Sequence, residues 1–163
     1  MKKQTTVKIT HAAAIAALYV VLTFLSAMVG LSSGVIQFRL SEILCITPVF
    51  TTAAVPGLFV GCIAANALTG AALWDVVFGS IATLIGAVGT RILRKNKLAA
   101  SLCPVVSNVL IVPFVLKAVY GVEEAIPFLM LTVGIGEVAM CVVLGLWICK
   151  AQSKNLERIF REK

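Results

Sequence analysis

A run of 25 residues, 125–149, contains a single charged side chain, Glu137, at its midpoint. That length suits one membrane-crossing helix, which needs about 20 apolar residues. An ionised carboxylate inside a membrane costs several kcal/mol, roughly 2.5–3.5 on insertion scales, so it is expected to face a partner or a ligand within a bundle. No Lys or Arg lies close to Glu137 in sequence. We therefore predict that Glu137 belongs to a binding site.

The composition predicts an integral membrane protein. Hydrophobic residues make up 60% of the 163 residues and charged residues 13%, whereas soluble domains average about 45–50% and about 25%. The length suits one all-α membrane domain covering residues 1–163, with no room for a soluble catalytic domain. The five cysteines are scattered through apolar runs and there is one histidine, so we expect buried apolar cysteines, no metal site and no cofactor.

Six apolar segments are separated by glycine, proline or charged residues. They are residues 8–29, 40–55, 56–68, 73–93, 98–119 and 125–149. The second and third together cover only 29 residues, so one long tilted helix, or two short helices around a re-entrant bend, are alternatives to two crossings. Val55-Pro56-Gly57 favours a break between them, because proline disfavours helix at the residue before it.

The basic residues predict the orientation. With a cytoplasmic N-terminus, six crossings place 12 of the 14 Lys and Arg residues at cytoplasmic ends, within 1–8, 91–97 and 150–163. Five crossings would put the basic tail outside, against the enrichment of Lys and Arg in cytoplasmic loops. We therefore predict a six-helix bundle with both termini cytoplasmic.

Two further acids lie at the predicted outer ends of spans, Glu42 in the second and Asp75 in the fourth. One hypothesis is that they join Glu137 in a single outward-open cavity, which would suit a cationic ligand or one rich in N–H donors. The alternative is structural, because an acid near a helix N-terminus complements the helix dipole. Arg39 is placed to join the site or to form a local ion pair with Glu42.

Other candidates are polar or aromatic residues near the same cavity: Asn66, Asn108, Phe38 and Trp74. Either asparagine would add hydrogen bonds to a ligand or would bond across helices. Trp74 would stack on a flat ligand or anchor the chain at the membrane interface.

Small side chains share one face of the first span: Ala12, Ala13, Ala16 and Ala17. They fall within an arc of about 140°, which permits close approach of another helix. That helix would belong to this chain or to another membrane subunit. Gly57 and Gly61 form a similar pair, for which we predict internal packing.

Enzyme activity is not expected. The sequence lacks the GxxxxGK[ST] phosphate loop, and no serine or cysteine has an identifiable histidine base. A transport or binding role fits better.

Four strings resemble the QueT family: QFRLSE (37–42), PGLFVGCIAAN (56–66), DVVFGS (75–80) and GE (136–137). The resemblance covers about residues 10–150. QueT proteins are substrate-binding (S) components of energy-coupling factor (ECF) transporters and are assigned to queuosine precursors.

The resemblance implies six membrane helices and an outward-facing site closed by loops. It also implies docking on one transmembrane coupling protein and two ATPases, with the alanine face of the first helix as the usual docking surface and with toppling of the whole S component during transport. A deazaguanine base offers two N–H groups on one edge, which one carboxylate can accept. Glu137 and Asp75 are expected to bind that edge and the aminomethyl cation of the ligand. Glu42 or Asn66 would complete the polar lining, and Phe38 or Trp74 would cover the ring.

Three alternatives remain open. The same fold could bind another vitamin or cationic amine. The chain could be a stand-alone proton-coupled carrier in which Glu137 is protonated. It could also be a structural membrane subunit whose acids form internal ion pairs, although Lys117 is the one basic residue nearby.

Overall fold

The computed structural model describes residues 2–31 and 36–160, and every regular element in that part of the chain is helical. The elements are α1 (Lys2–Met28), a 3₁₀ helix (Leu40–Val49), α2 (Ala54–Leu68), α3 (Leu73–Ile92), α4 (Lys97–Tyr120), α5 (Ile126–Glu137), a π segment (Val138–Leu144) and α6 (Gly145–Ile159). The all-α prediction is confirmed. Parts of the predicted loop after the first span and of both basic termini lie outside the described residues.

The last three elements form one continuous rod. The joining residues Val138 and Gly145 both have right-handed helical dihedrals. The predicted span 125–149 lies almost entirely within this rod. The π segment begins at the residue after Glu137, and such wider turns occur frequently at functional sites.

Within residues 2–31 and 36–160, four helices are long and apolar enough to cross a bilayer. They are α1, α3, α4 and the rod formed by α5, the π segment and α6. A helix of 20 residues is about 30 Å long, close to the thickness of the hydrocarbon core. The predicted spans 73–93 and 98–119 agree with α3 and α4 to within one residue at each end.

The region 40–68 forms two short helices rather than one long one. The 3₁₀ helix has 10 residues and α2 has 15. The chain leaves helical structure between Val49 and Ala54, not at Pro56 as the sequence predicted. Pro56 lies in the first turn of α2, where its missing N–H breaks no intrahelical hydrogen bond.

Local sequence sets both ends of α4. The Asn96 side chain caps the first turn by accepting hydrogen bonds from the N–H groups of Leu98 and Ala99, each at 3.2 Å. Gly121 ends the helix with φ 64°, in the left-handed region that glycine adopts without steric cost. Tyr120 is therefore held at the end of a well-defined helix.

Helices α1 and α2 pack closely through glycine. A Cβ atom at Gly57 would lie 2.7 Å from the Ala12 carbonyl oxygen, and one at Gly61 would lie 3.0 Å from the Ala16 Cα. The predicted internal packing of the glycine pair is confirmed. Its consequence is that Ala12 and Ala16 face α2, whereas Ala13 and Ala17 are exposed.

Two contacts between distant parts of the chain lie at one end of the bundle. The Arg91 guanidinium at the end of α3 donates to the carbonyl oxygens of Pro48 and Val49, at 3.1 and 3.3 Å. The ring of Phe160 meets His11 edge-on, with centroids 5.3 Å apart. The N-terminal half of α1 and the end of α6 are therefore neighbours.

Candidate functional site

A polar cavity, which we call the outer chamber, lies at the opposite end of the bundle from Arg91. Its volume is about 480 Å³. The C-terminal ends of α1, α2 and α4 and the N-terminal end of α3 surround it, together with the loop before the 3₁₀ helix. The lining residues are Thr23, Ser26, Ala27, Gln37, Arg39, Asn66, Thr69, Gly70, Ala71, Asp75, Leu116, Tyr120 and Val122.

A smaller space, the inner cavity, has a volume of about 30 Å³. Its lining residues are Gln37, Arg39, Glu42, Gly79, Thr83, Asn108, Val112, Val133 and Glu137. Gln37 and Arg39 line both spaces, so the two cavities adjoin at these side chains. Glu137 and Asp75 thus belong to neighbouring cavities rather than to a single one.

Arg39 occupies the boundary between the two cavities. Hydrogen bonds hold the backbone on both sides of Arg39: Phe38 N donates to Leu31 O at 2.9 Å, and Leu40 N donates to Ser26 Oγ at 2.8 Å. The positive charge of Arg39 interacts with both Asp75 and Glu42. It partly compensates the concentration of acids in this region.

Asp75 is buried in the first turn of α3, where its charge complements the helix dipole. The Tyr120 hydroxyl donates to Asp75 Oδ2 at 3.0 Å and accepts from Ala72 N at 3.2 Å. These two contacts connect the end of α4 to the start of α3 at the edge of the outer chamber. The other Asp75 oxygen accepts no hydrogen bond from this tyrosine and can serve a ligand.

Asn66 lies beside Asp75 and is 3% exposed. Its Nδ2 donates to Cys62 Sγ at 3.5 Å. A Cβ atom at Gly79 would lie 3.3 Å from Asn66 Nδ2 and 3.4 Å from Asp75 Oδ1. The absence of a side chain at Gly79 therefore keeps room between these polar groups.

Glu42 is buried and already accepts hydrogen bonds from this chain. The Tyr19 hydroxyl donates to Oε1, and Cys45 Sγ donates to Oε2 at 3.0 Å. Both oxygens of Glu42 are thus occupied by donors from α1 and the 3₁₀ helix. This makes Glu42 a structural acceptor at the base of the inner cavity.

Glu137 ends α5 and faces the bundle interior, as predicted, although it is not completely buried. Cys141 Sγ donates to its Oε2 at 3.4 Å. Asn108, on α4, lines the same cavity as the Glu137 carboxylate. The rest of the carboxylate borders the inner cavity.

Gly136 allows the 36–39 loop to reach Glu137. A Cβ atom at this position would overlap the Gln37 carbonyl oxygen, so only glycine fits here without displacing the loop. The close approach places Gln37 and Arg39 next to Glu137. This explains why the loop lines the inner cavity.

Neither predicted aromatic cover lies in these cavities, which corrects the expectation for Phe38 and Trp74. Trp74 is 59% exposed and stacks on Phe78, with ring centroids 5.9 Å apart. Both rings lie in an apolar surface groove between α3 and α4. Trp74 and Asp75 are consecutive residues of α3. Because each residue turns the helix by about 100°, the tryptophan ring points outward while Asp75 faces the cavity.

The sequence analysis missed several lining residues that carry hydroxyl groups: Thr23, Ser26, Thr69, Thr83 and Tyr120. Thr23 and Ser26 are three residues apart on α1, which places them on one helix face. Two hydroxyl side chains on one face of an apolar span indicate that this face contacts polar groups, so the sequence contained a signal for them. Tyr120 precedes a turn, and nothing in the sequence connects it with Asp75.

Comparisons with known proteins agree on one family. A family model described as the QueT transporter matches residues 9–154. A curated protein named Queuosine precursor transporter QueT, from Lactococcus lactis subsp. cremoris (strain MG1363), is 40% identical over 86 residues. That match covers 52% of this chain and 50% of the relative, so the chain aligns with about half of the relative's length. No solved structure gives a significant match.

Proposed function

This chain belongs to the QueT transporter family, and we propose that it is the membrane subunit that binds a queuosine precursor for uptake. It is a multi-pass membrane protein. The ligand would be a deazaguanine-type base. The observation that carries this proposal is the pair of adjoining polar cavities with a carboxylate in each and Arg39 between them.

The sizes of the cavities suggest how the ligand lies. A cavity needs about 10–15 Å³ to hold one water molecule, so the inner cavity, at about 30 Å³, admits a small group and not a ring. We infer that the base occupies the outer chamber and presents its N–H edge to Asp75. The aminomethyl cation then points toward Glu137, and the ring carbonyl accepts a hydrogen bond from Arg39.

The test is ligand binding to the purified chain, comparing the aminomethyl form of the base with a form that lacks the amine. Glu137→Gln should weaken binding of the aminomethyl form by about 10- to 100-fold, because a charged hydrogen bond is lost. It should leave the amine-free form nearly unaffected. Asp75→Asn should weaken both forms.

The control is Glu123→Gln, since Glu123 is an exposed acid outside both cavities. It should bind both forms like the native chain. Unchanged affinity for the aminomethyl form in Glu137→Gln would remove Glu137 from the site. Binding of a different vitamin or amine in preference to deazaguanines would replace the substrate assignment.

We further propose six crossings with both termini cytoplasmic. The two short helices support this count, because the 3₁₀ helix begins beside the inner cavity and ends at Arg91 near the other end of the bundle. The contact between His11 and Phe160 supports placing both termini on one side. The basic residues of 91–97 and 150–160 would then lie in the cytoplasm.

The proposed partners are one transmembrane coupling protein and two ATPases of the ECF type. Ala13 and Ala17 remain exposed on α1 and are available for docking, whereas Ala12 and Ala16 are engaged with α2. Uptake into vesicles should therefore require the ATPase module. Uptake by this chain alone under a pH gradient would support a proton-coupled carrier instead.

A further inference from the structure

Two cysteines far apart in the sequence meet beside Glu42. Cys45 belongs to the 3₁₀ helix and Cys141 to the π segment, and both are 1% exposed. The two sulfur atoms and one Glu42 carboxylate oxygen all lie within 4.8 Å of one another. We propose that these three residues bind a thiophilic divalent cation of the zinc class.

The donor atoms are close to a coordinating arrangement. Zinc bonds of about 2.3 Å to sulfur and about 2.0–2.2 Å to oxygen place tetrahedral ligand atoms about 3.5 Å apart. Cys45 Sγ is 3.0 Å from Glu42 Oε2, and Cys141 Sγ is 3.4 Å from Glu137 Oε2. Small side-chain shifts therefore suffice, and Glu137 can supply a fourth ligand or leave that position open to the inner cavity.

The charges favour a cation in this cluster. Two thiolates with the Glu42 and Glu137 carboxylates would contribute four negative charges, of which a divalent cation and Arg39 offset three. Arg39 lines the same cavity and interacts with Glu42. The two thiol protons are released to the buffer when the metal binds, as thiolate coordination requires.

The cation would reach the cluster through the inner cavity, which both Glu42 and Glu137 line. A bound cation would occupy carboxylate oxygens next to the proposed ligand site, so it should also lower the affinity for a deazaguanine. Metal binding itself does not depend on the proposed function. It can be measured without any purine, so the two proposals fail separately.

The experiment uses the full chain in detergent, treated with a chelator and titrated with Co²⁺ as a spectroscopic substitute for Zn²⁺. The expected result is one Co²⁺ per chain, displaced by Zn²⁺, with the thiolate-to-cobalt charge-transfer band that only sulfur ligands produce. Cys45→Ser and Cys141→Ser should each weaken the band and lower Co²⁺ affinity by about 100-fold or more. The double variant should lose the band.

Cys149→Ser is the matched control, because Cys149 is equally buried but lies outside the cluster. It should keep the native band and affinity. Absence of the band in the native chain overturns the proposal without reference to any variant. An unchanged band in the double variant, or an equal loss in Cys149→Ser, overturns it as well.

Discussion

At the residue scale, the two acids of the inner cavity differ in the hydrogen bonds they already accept. Both oxygens of Glu42 accept hydrogen bonds, from Tyr19 and Cys45, whereas Glu137 accepts one from Cys141 at Oε2 and borders the inner cavity. A carboxylate already satisfied by its own protein gains less from a ligand than one that is partly unsatisfied. This difference is why we assign binding of the deazaguanine to Glu137 rather than to Glu42.

Gly136→Ala tests whether loop position controls the site. The new methyl group would collide with Gln37 O and push Arg39 away from both cavities. We expect deazaguanine affinity to fall at least about tenfold while the chain still folds, since overpacking typically costs about 1–3 kcal/mol. Gly134→Ala is the control, because its Cβ would have an ordinary contact of 3.4 Å with Val109. Equal affinity in both variants would contradict the role of the loop.

Trp74→Ala tests the corrected position of the tryptophan. Its ring is directed to the apolar groove and stacks on Phe78, outside both polar cavities. Ligand affinity should therefore stay within about twofold of the native value, less than the tenfold that 1.4 kcal/mol represents. Titration of the purified variant measures it. A large loss of affinity would mean that this ring covers the ligand after all.

At the element scale, the smallest side chains determine how closely helices approach. The α1–α2 contact relies on glycine in α2, and Ala12 and Ala16 of α1 complete it. In a membrane the hydrophobic effect does not drive helices together, because lipid tails are as apolar as the side chains. Close approach of the two backbones instead lets dispersion contacts stabilise the helix pair. The same contact aligns Tyr19 with Glu42 and so supports the base of the inner cavity.

Gly61→Ala should destabilise this contact. Its Cβ would lie 2.9 Å from Tyr19 Cβ and 3.0 Å from Ala16 Cα, and neither is the flexible end of a side chain. We expect a loss of about 1–3 kcal/mol, seen as a lower thermal midpoint in detergent. Gly145→Ala, whose nearest contact would be 3.5 Å, should be neutral or slightly stabilising. A midpoint for Gly61→Ala at or above the native value would refute this packing argument.

At the scale of the whole molecule, the polar cavities and a cluster of basic residues lie at opposite ends of the bundle. The polar cavities lie where α1, α2 and α4 end, and the cluster of Arg94, Lys95 and Lys97 lies between α3 and α4 at the other end. In the proposed orientation, a ligand that enters from outside the cell meets the acidic residues of the cavities before it reaches the basic cluster.

Labelling of an introduced exposed cysteine tests the orientation. In a Cys103→Ser background, Glu123→Cys should react with a membrane-impermeant maleimide added to intact cells, because Glu123 is exposed at the cavity end. Lys95→Cys is also exposed in the structure but should react only after the membrane is opened. The background chain alone measures residual labelling of the buried cysteines. The reverse pattern, or labelling of both sites from outside, would contradict six crossings with cytoplasmic termini.

Hydropathy and charge in the sequence were sufficient to predict the membrane class, the long helices and the inward orientation of Glu137. These features follow from the cost of exposing backbone and carboxylate to lipid, which acts on each segment independently. Only the tertiary structure decided which helices adjoin. It separated Asp75 and Glu137 into neighbouring cavities and turned Trp74 outward. It also gave Glu42 a hydrogen bond from Tyr19 and brought Cys45 close to Cys141. Such pairings depend on side-chain shape at interhelical contacts, because apolar periodicity alone does not specify which helix packs against which.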